Sequence, residues 1–304
     1  MATTTTVTSN YAGREAGAIV GQAFKEADTL AKGFVTRYEN VNYQLALRKI
    51  QLTGGKREYT CGFTPAGAIT LTEKILAPKK FKDDFSVCKE TFRAQWSEES
   101  MGASAHNDNA PKDIMDAILV EKLAQTAQEF DDNIWNGDSA NDDEFDGFLK
   151  LFLADSEVID VDLASPVTEA NIEANLKLAL AAVPVALRRK PLKIGVSTDI
   201  FQIYTFFLIS KGLANGLGGD ANTAMKIGKY TLEEINGLPA ETIVIADPKN
   251  LIFGTGLEAD HNEVKLVDED EIGLLTGLVR GTMVYNAGVQ YYNGAEIVWA
   301  RNIS

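Results

Sequence analysis

Residues 41–52 (VNYQLALRKIQL) and 68–76 (AITLTEKIL) both alternate apolar and polar side chains, and Thr53, Gly54, Gly55 and Lys56 between them form a turn signal. The pattern predicts a long two-stranded ribbon. Two strands are too thin to bury a core of their own, so this ribbon needs another surface to lie on. A second element is equally demanding. Pro111 suits a first helical turn and opens 111–137 (PKDIMDAILVEKLAQTAQEFDDNIWNG), with Gly137 as its stop. At 1.5 Å per residue such a helix is about 40 Å long, unusual for a compact enzyme domain.

The remaining segments fill in around these two. Residues 1–10 (MATTTTVTSN) read as an extended arm, and 11–33 as a helix with Gly13, Gly17 and Gly21 four apart. Those glycines weaken an isolated helix, so this segment is expected to order only against a partner. Residues 81–96 read as a short strand and a helix containing Cys88, Phe92 and Trp96, followed by a loop at 101–111. An acidic loop covers 138–147, and α/β texture begins at Val158. Expected there are a helix over 168–183 capped by Thr168, a strand at 193–196, and a helix from Ser197 or Thr198 to Ile209. A loop over 212–228, buried strands at 243–246 and 251–253, and strands at 263–267, 278–285, 288–292 and 295–300 complete the chain, which shows no internal repeat.

Charge and cysteine content exclude several functions. The 304 residues carry 29 Lys and Arg against 43 Asp and Glu, a net charge of −14. Such a chain has no general phosphate-neutralising surface, and its charge serves solubility and repulsion between copies. Cys61 and Cys88 make neither a disulfide framework nor a metal spacing, so two reduced thiols are expected, with a bridge between them as the alternative. The N-terminus lacks the basic-then-apolar signature of a signal peptide. The apolar run at 203–209 is far too short to span a bilayer, so no membrane association is expected.

Catalytic motifs do not emerge. His106 and His261 sit in polar contexts without a nucleophile elbow and read as surface histidines. Asp142, Glu144, Asp146 and Gly147 imitate the start of a calcium loop, but Leu153 stands where the closing Glu is needed. Gly254-Thr255-Gly256 reads as a turn, with no helix behind it to receive a dinucleotide phosphate. Residues 212–219 lack the Lys-Ser/Thr ending of a P-loop. Arg188, Arg189 and Lys190 read as solvated charges on a turn, with a contact to an acidic neighbouring subunit as the alternative. No cofactor or metal site and no catalytic residue is expected.

The order of elements resembles the Hong Kong 97-type fold of tailed-phage major capsid proteins over nearly the whole chain. Residues 111–138 resemble that family's spine helix, 147–150 (GFLK) the short segment after it, and 190–208 (KPLKIGVSTDIFQIYTFFL) the A-domain strand and helix. Residues 235–260 (INGLPAETIVIADPKNLIFGTGLEAD) resemble its Gly-Leu-Pro segment and next strand, 262–292 the paired P-domain strands, and AEIVWARN the return to the A-domain. The resemblance implies an α+β fold with an N-terminal arm (1–40), an E-loop (41–80), a P-domain (81–160 and 263–293, spine helix 111–136) and an A-domain (161–262 and 294–304).

It further implies a structural, non-enzymatic subunit that self-assembles as hexamers and pentamers into an icosahedral head. Its partners would be portal, scaffolding and decoration proteins and DNA packaged without sequence-specific binding. The expected location is the virion, after assembly in the host cytoplasm. The short arm leads us to expect a separate scaffolding protein or a cleaved precursor. Covalent cross-linking through Lys56 lacks a catalytic carboxylate that the sequence can place. Inter-subunit contacts are expected from Arg14, Glu15, Lys25 and Glu26 on the N-terminal segment and from Arg48, Lys49, Lys56, Arg57 and Glu58 on the ribbon. The alternatives are an encapsulin-type nanocompartment shell, a minor virion decoration or tail protein, and a soluble α/β enzyme using the 212–228 loop and the Gly254 turn.

Overall fold

The structure, a computed structural model, describes residues 28–41, 43–59, 61–62, 67–88, 112–163, 166–212, 225–256, 265–269, 273–274 and 276–303. The elements in chain order begin with α1 (Asp28–Ala31), β1 (Thr36–Tyr38), the ribbon strands β2 (Leu45–Thr53) and β3 (Ala68–Leu76), and β4 (Lys79–Cys88). Then come α2 (Lys112–Asn136), α3 (Phe148–Ala154), β5 (Ile159–Asp162), α4 (Ile172–Ala182), β6 (Lys193–Val196), α5 (Thr198–Ser210), β7 (Lys226–Ile227) and β8 (Tyr230–Glu234). The last are β9 (Thr242–Ala246), β10 (Leu251–Thr255), β11 (Lys265–Asp268), β12 (Leu278–Tyr291) and β13 (Val298–Arg301). The class is α+β, as expected.

Three sheets organise the described residues. A five-stranded sheet runs β1-β10-β12-β11, with β4 also paired to β12. A six-stranded sheet runs β5-β13-β9-β6-β8-β7, and β2 and β3 form a separate two-stranded sheet. The six-stranded sheet buries Ile194, Val196, Ile243, Ile245, Val298 and Ala300 against Ile172, Leu176 and Ala179 of α4 and Ile200 and Tyr204 of α5. Its central strand β9 is buried at every position, which accounts for the unbroken apolar run TIVIA.

A second core surrounds the C-terminal end of α2 and joins the two large sheets. Its aromatic rings touch in series. Phe34 lies 5.8 Å from Trp135, Trp135 5.4 Å from Phe148, and Phe148 5.9 Å from Phe152. Phe152 then meets Tyr291 of β12 at 5.4 Å and Trp299 of β13 at 6.1 Å. Asp131, one turn before Trp135, is a buried polar tie in this core. Its carboxylate accepts the backbone N–H of Thr29 at 2.8 Å and that of Gly237 at 2.9 Å. The Trp135 indole donates to the Thr29 hydroxyl at 2.8 Å. Burial raises the Asp131 carboxyl above its usual value, against the lowering effect of the hydrogen bonds from Thr29 and Gly237.

Several expectations need correction. Cys88 lies at the end of β4, paired with Leu278, and not in a helix. Residues 278–291 form one strand, not two. Asn286 and Ala287, which resemble a break, pair with Lys80 and Lys79, and Ala287 pairs also with Thr255. Helix α4 starts at Ile172, because Thr168 donates its N–H to the Asn171 side chain in a preceding turn. Gly254 sits inside β10, not in a turn. The spine helix, the ribbon, β6 and α5 fall where the sequence places them. The helix expected over 11–33 lies outside the described residues except at its end, where α1 stands.

Asp131→Ala removes the acceptor of two buried N–H groups and is expected to cost about 2–4 kcal/mol. Asp131→Asn retains one acceptor and costs less. Urea unfolding monitored by tryptophan fluorescence measures both, and an unchanged midpoint for the alanine variant would refute the role assigned to this tie.

Candidate assembly surface

The ribbon strands end at Thr53 and Ala68, so their connection spans 54–67 and is not the tight turn that Thr53-Gly54-Gly55-Lys56 suggests. Gly54 and Gly55 adopt φ of 80° and 121°, a region open to glycine and strained for other residues. From this connection the register runs Thr53↔Ala68, Leu52↔Ile69, Gln51↔Thr70, Ile50↔Leu71, Lys49↔Thr72, Arg48↔Glu73, Leu47↔Lys74, Ala46↔Ile75 and Leu45↔Leu76. Because side chains alternate between faces, the ribbon has two different sides. One carries Leu45, Leu47, Lys49, Gln51 and Thr53 with their partners. The other carries Ala46, Arg48, Ile50 and Leu52 with theirs.

The first side turns toward the body of the subunit at its base. Leu47 and Leu76 pack on Ile252 of β10 as a small separate core, all three almost completely buried. Their approach depends on missing side chains. A Cβ on Gly254 would come within 2.6 Å of Leu76, and one on Gly288 would meet the Pro78 backbone at 3.0 Å. Gly254 and Gly288 are paired across β10 and β12, so the sheet presents a two-glycine gap where the ribbon crosses it.

Among the described residues the second side has no partner. Ile50, Leu52, Ile69 and Leu71 form two adjacent cross-strand pairs, exposed to 64, 71, 73 and 59%. Scattered exposed aliphatics are ordinary, but a contiguous patch on a thin ribbon marks a contact surface. Ile75 extends the patch toward the root, and Arg48 and Glu73, 3.6 Å apart and both exposed, interrupt it with an ion pair.

The expected contact residues are distributed unevenly around this patch. Lys56, Arg57 and Glu58 stand exposed at the ribbon tip. Arg48 shares the apolar side, whereas Lys49 is on the opposite one and reaches Glu157 of its own subunit at 2.8 Å. Arg14, Glu15, Lys25 and Glu26, like His106 and His261, lie outside the described residues. The four aliphatics are the residues that sequence reasoning missed. The alternation of each segment is visible in the sequence, but the register that brings the four together is set across the long connection 54–67, which carries no local signal for it.

Other sequence candidates have local roles. Arg188 donates to the Val183 and Ala181 carbonyls that end α4, at 3.1 Å each, and Lys190 pairs with Glu296. In the acidic loop Glu144 accepts the Asp138 N–H at 2.7 Å, Asp146 accepts the Ser139 N–H at 2.9 Å, and Lys150 pairs with both Asp138 and Asp146. Those carboxylates shape the loop, and no cluster fit to hold a metal ion occurs among the described residues. Gly254, taken as the turn of an enzyme site, is filled over by Leu76. Cys61 and Cys88 are both free and exposed. Among the described residues no helix is long and apolar enough to cross a membrane.

No family model matches the chain, and no curated protein matches it in sequence. Solved structures do match. A chain of the satellite phage P4 procapsid including the size determination (Sid) protein superposes with a TM-score of 0.61 at 12% identity, over 94% of this chain and 90% of that one. The capsid of the native GTA particle gives a TM-score of 0.58 at 11% identity, over 92% and 91%. A virus-like particle from Pyrococcus furiosus gives 0.52 at 10%, over 95% and 99%. The fold is therefore that of capsid-shell subunits. Within that class it is the Hong Kong 97-type fold that the sequence resembles.

Because the apolar stripe is exposed and packs against none of the other described elements, Ile50→Ser with Leu71→Ser is expected to leave the stability of the isolated subunit within about 0.5 kcal/mol of wild type. A large loss of stability would show that the stripe is internal to the fold. Separately, the Asp155 carboxyl sits below its usual value. Burial raises it, but hydrogen bonds from Lys74, the Glu157 N–H and Tyr291 outweigh burial. Its contribution is thus complete above the ordinary carboxylate pKa and fades as pH falls through the depressed value. Lys74→Met is expected to move the onset of acid unfolding to higher pH in a circular-dichroism titration.

Proposed function

We propose that this chain is the major capsid subunit of a tailed bacteriophage, assembling in many copies into an icosahedral head around double-stranded DNA. One observation carries the reading. In a capsid-type fold, the ribbon projects a contiguous aliphatic stripe that stands exposed and that no other described element covers. A sister copy supplies the missing cover, and identical copies making such heterologous contacts close into rings and shells where the angles permit. Arg48, Lys56, Arg57 and Glu58, next to or beyond the stripe, then act as polar rim contacts. The net charge of −14 suits a container that encloses nucleic acid without gripping it.

In this reading residues 1–40 are the arm, 41–80 the E-loop, 81–160 and 263–293 the P-domain, and 161–262 and 294–304 the A-domain, with β10 crossing back into the P-domain sheet. Hexamers and pentamers of this chain, a portal, a scaffolding protein, decoration proteins and assembly in the host cytoplasm belong to the same proposal. A second reading, a nanocompartment shell, draws on the likeness to the Pyrococcus furiosus virus-like particle. It differs in contents, a protein cargo in place of DNA.

Electron microscopy of the purified protein is expected to show closed particles, and nuclease-protected DNA in particles from the native source separates the two readings. Ile50→Ser with Leu71→Ser is expected to abolish particles while the subunit stays folded. A monodisperse single copy at all concentrations, with the ribbon folded onto its own body, would overturn the proposal.

A further inference from the structure

On the side facing its own subunit, the ribbon is secured by different forces at successive distances from its root. Leu47 and Leu76 are buried against Ile252. Opposite Leu47, the Lys74 ammonium lies 2.6 Å from Asp155 and 3.5 Å from the centre of the Tyr291 ring. The Tyr291 hydroxyl donates to the same Asp155 oxygen at 2.8 Å. One step further out on the same side, Lys49 reaches Glu157 at 2.8 Å. Beyond Lys49 and its partner Thr72, every described residue of both strands is exposed.

Both anions belong to one short turn after α3. Its shape is set internally, since the Glu157 N–H donates to the Asp155 side chain at 2.9 Å. The turn is also tightly seated, because a Cβ on Gly294 would come within 2.8 Å of the Asp155 carboxylate. Two lysines on the ribbon thus meet two carboxylates on one firm platform.

We propose that these two bridges are a latch that sets the angle of the ribbon to its subunit, holding the aliphatic stripe outward before a sister copy arrives. The apolar root alone does not fix an angle, because hydrophobic burial is non-directional. Short charge-assisted hydrogen bonds have direction. Both pairs are partly exposed, so each is weak enough to break and re-form, which makes the ribbon a lever with a preferred setting. A preset ribbon lowers the ordering cost of association. The latch stands on the geometry of the single subunit, and only its consequence for assembly rests on the shell reading.

Cys61, in the connection between the ribbon strands, and Cys88, at the end of β4, are the two cysteines of the chain, and both are exposed. Spin labels on them report the ribbon angle as a distance distribution in the unassembled subunit. Wild type is expected to give a narrow distribution, Lys49→Glu and Lys74→Met broader ones, and the swap Lys49→Glu with Glu157→Lys a narrow one again. Equal widths in all four, or a swap that stays broad, would overturn the latch. In assembly followed by light scattering, Lys49→Glu is expected to raise the half-assembly concentration about two- to five-fold, the range for a partly exposed pair, and the swap to restore it. An unchanged threshold would overturn the assembly role. A wild-type protein that never assembles would sink the shell reading, while the distance measurement still decides the latch.

Discussion

A two-stranded sheet has two faces, and the body of this subunit supplies a floor for only part of one of them. The division runs along the length of β2 and β3. Near the root, leucines sink into a small core on β10. Further out, the inward face is polar and the outward face aliphatic. Burying a single Ile or Leu side chain is worth about 1.5–3 kcal/mol, so a stripe of this kind is a modest adhesive in any one contact. In a closed assembly each copy both gives and receives it, and modest contacts then act together.

The remainder of the fold makes this projecting element precise. The aromatic series from Phe34 through Trp135, Phe148 and Phe152 to Tyr291 and Trp299 ties the segment before β1, helix α2 and both large sheets into one body. Tyr291 belongs to that series and also carries Lys74 over its ring. The ribbon is therefore anchored on this aromatic core, through a side chain that serves core and ribbon together.

Much of the architecture was legible in the sequence, for identifiable reasons. The spine and α5 announce themselves by start and stop residues, and β6, β9 and the ribbon by their apolar patterns. Misreadings arose where tertiary contact overrides local signal. Asn286 and Ala287 look like a break, yet they continue β12 because β4 and β10 both bond to that stretch. Gly254 looks like a turn, yet it is a strand residue whose missing side chain makes room for Leu76. The assembly surface was half legible. Charged residues on the ribbon were picked out by type, whereas the stripe depends on cross-strand register, which no single segment reveals. Lys49 shows the same limit, since its partner Glu157 is 108 positions away.

The facing glycines at the crossing point have a practical corollary. Gly254 and Gly288 fix where the ribbon leaves the sheet, and neither position has room for a larger residue without displacing Leu76 or Pro78. The described residues 56–59 between the two strands are exposed and carry no such restriction on the side of their own subunit. Foreign peptides grafted there would travel on a stalk whose attachment geometry they cannot alter, which makes the apex, and not the base, the place to decorate this protein with an epitope or affinity handle.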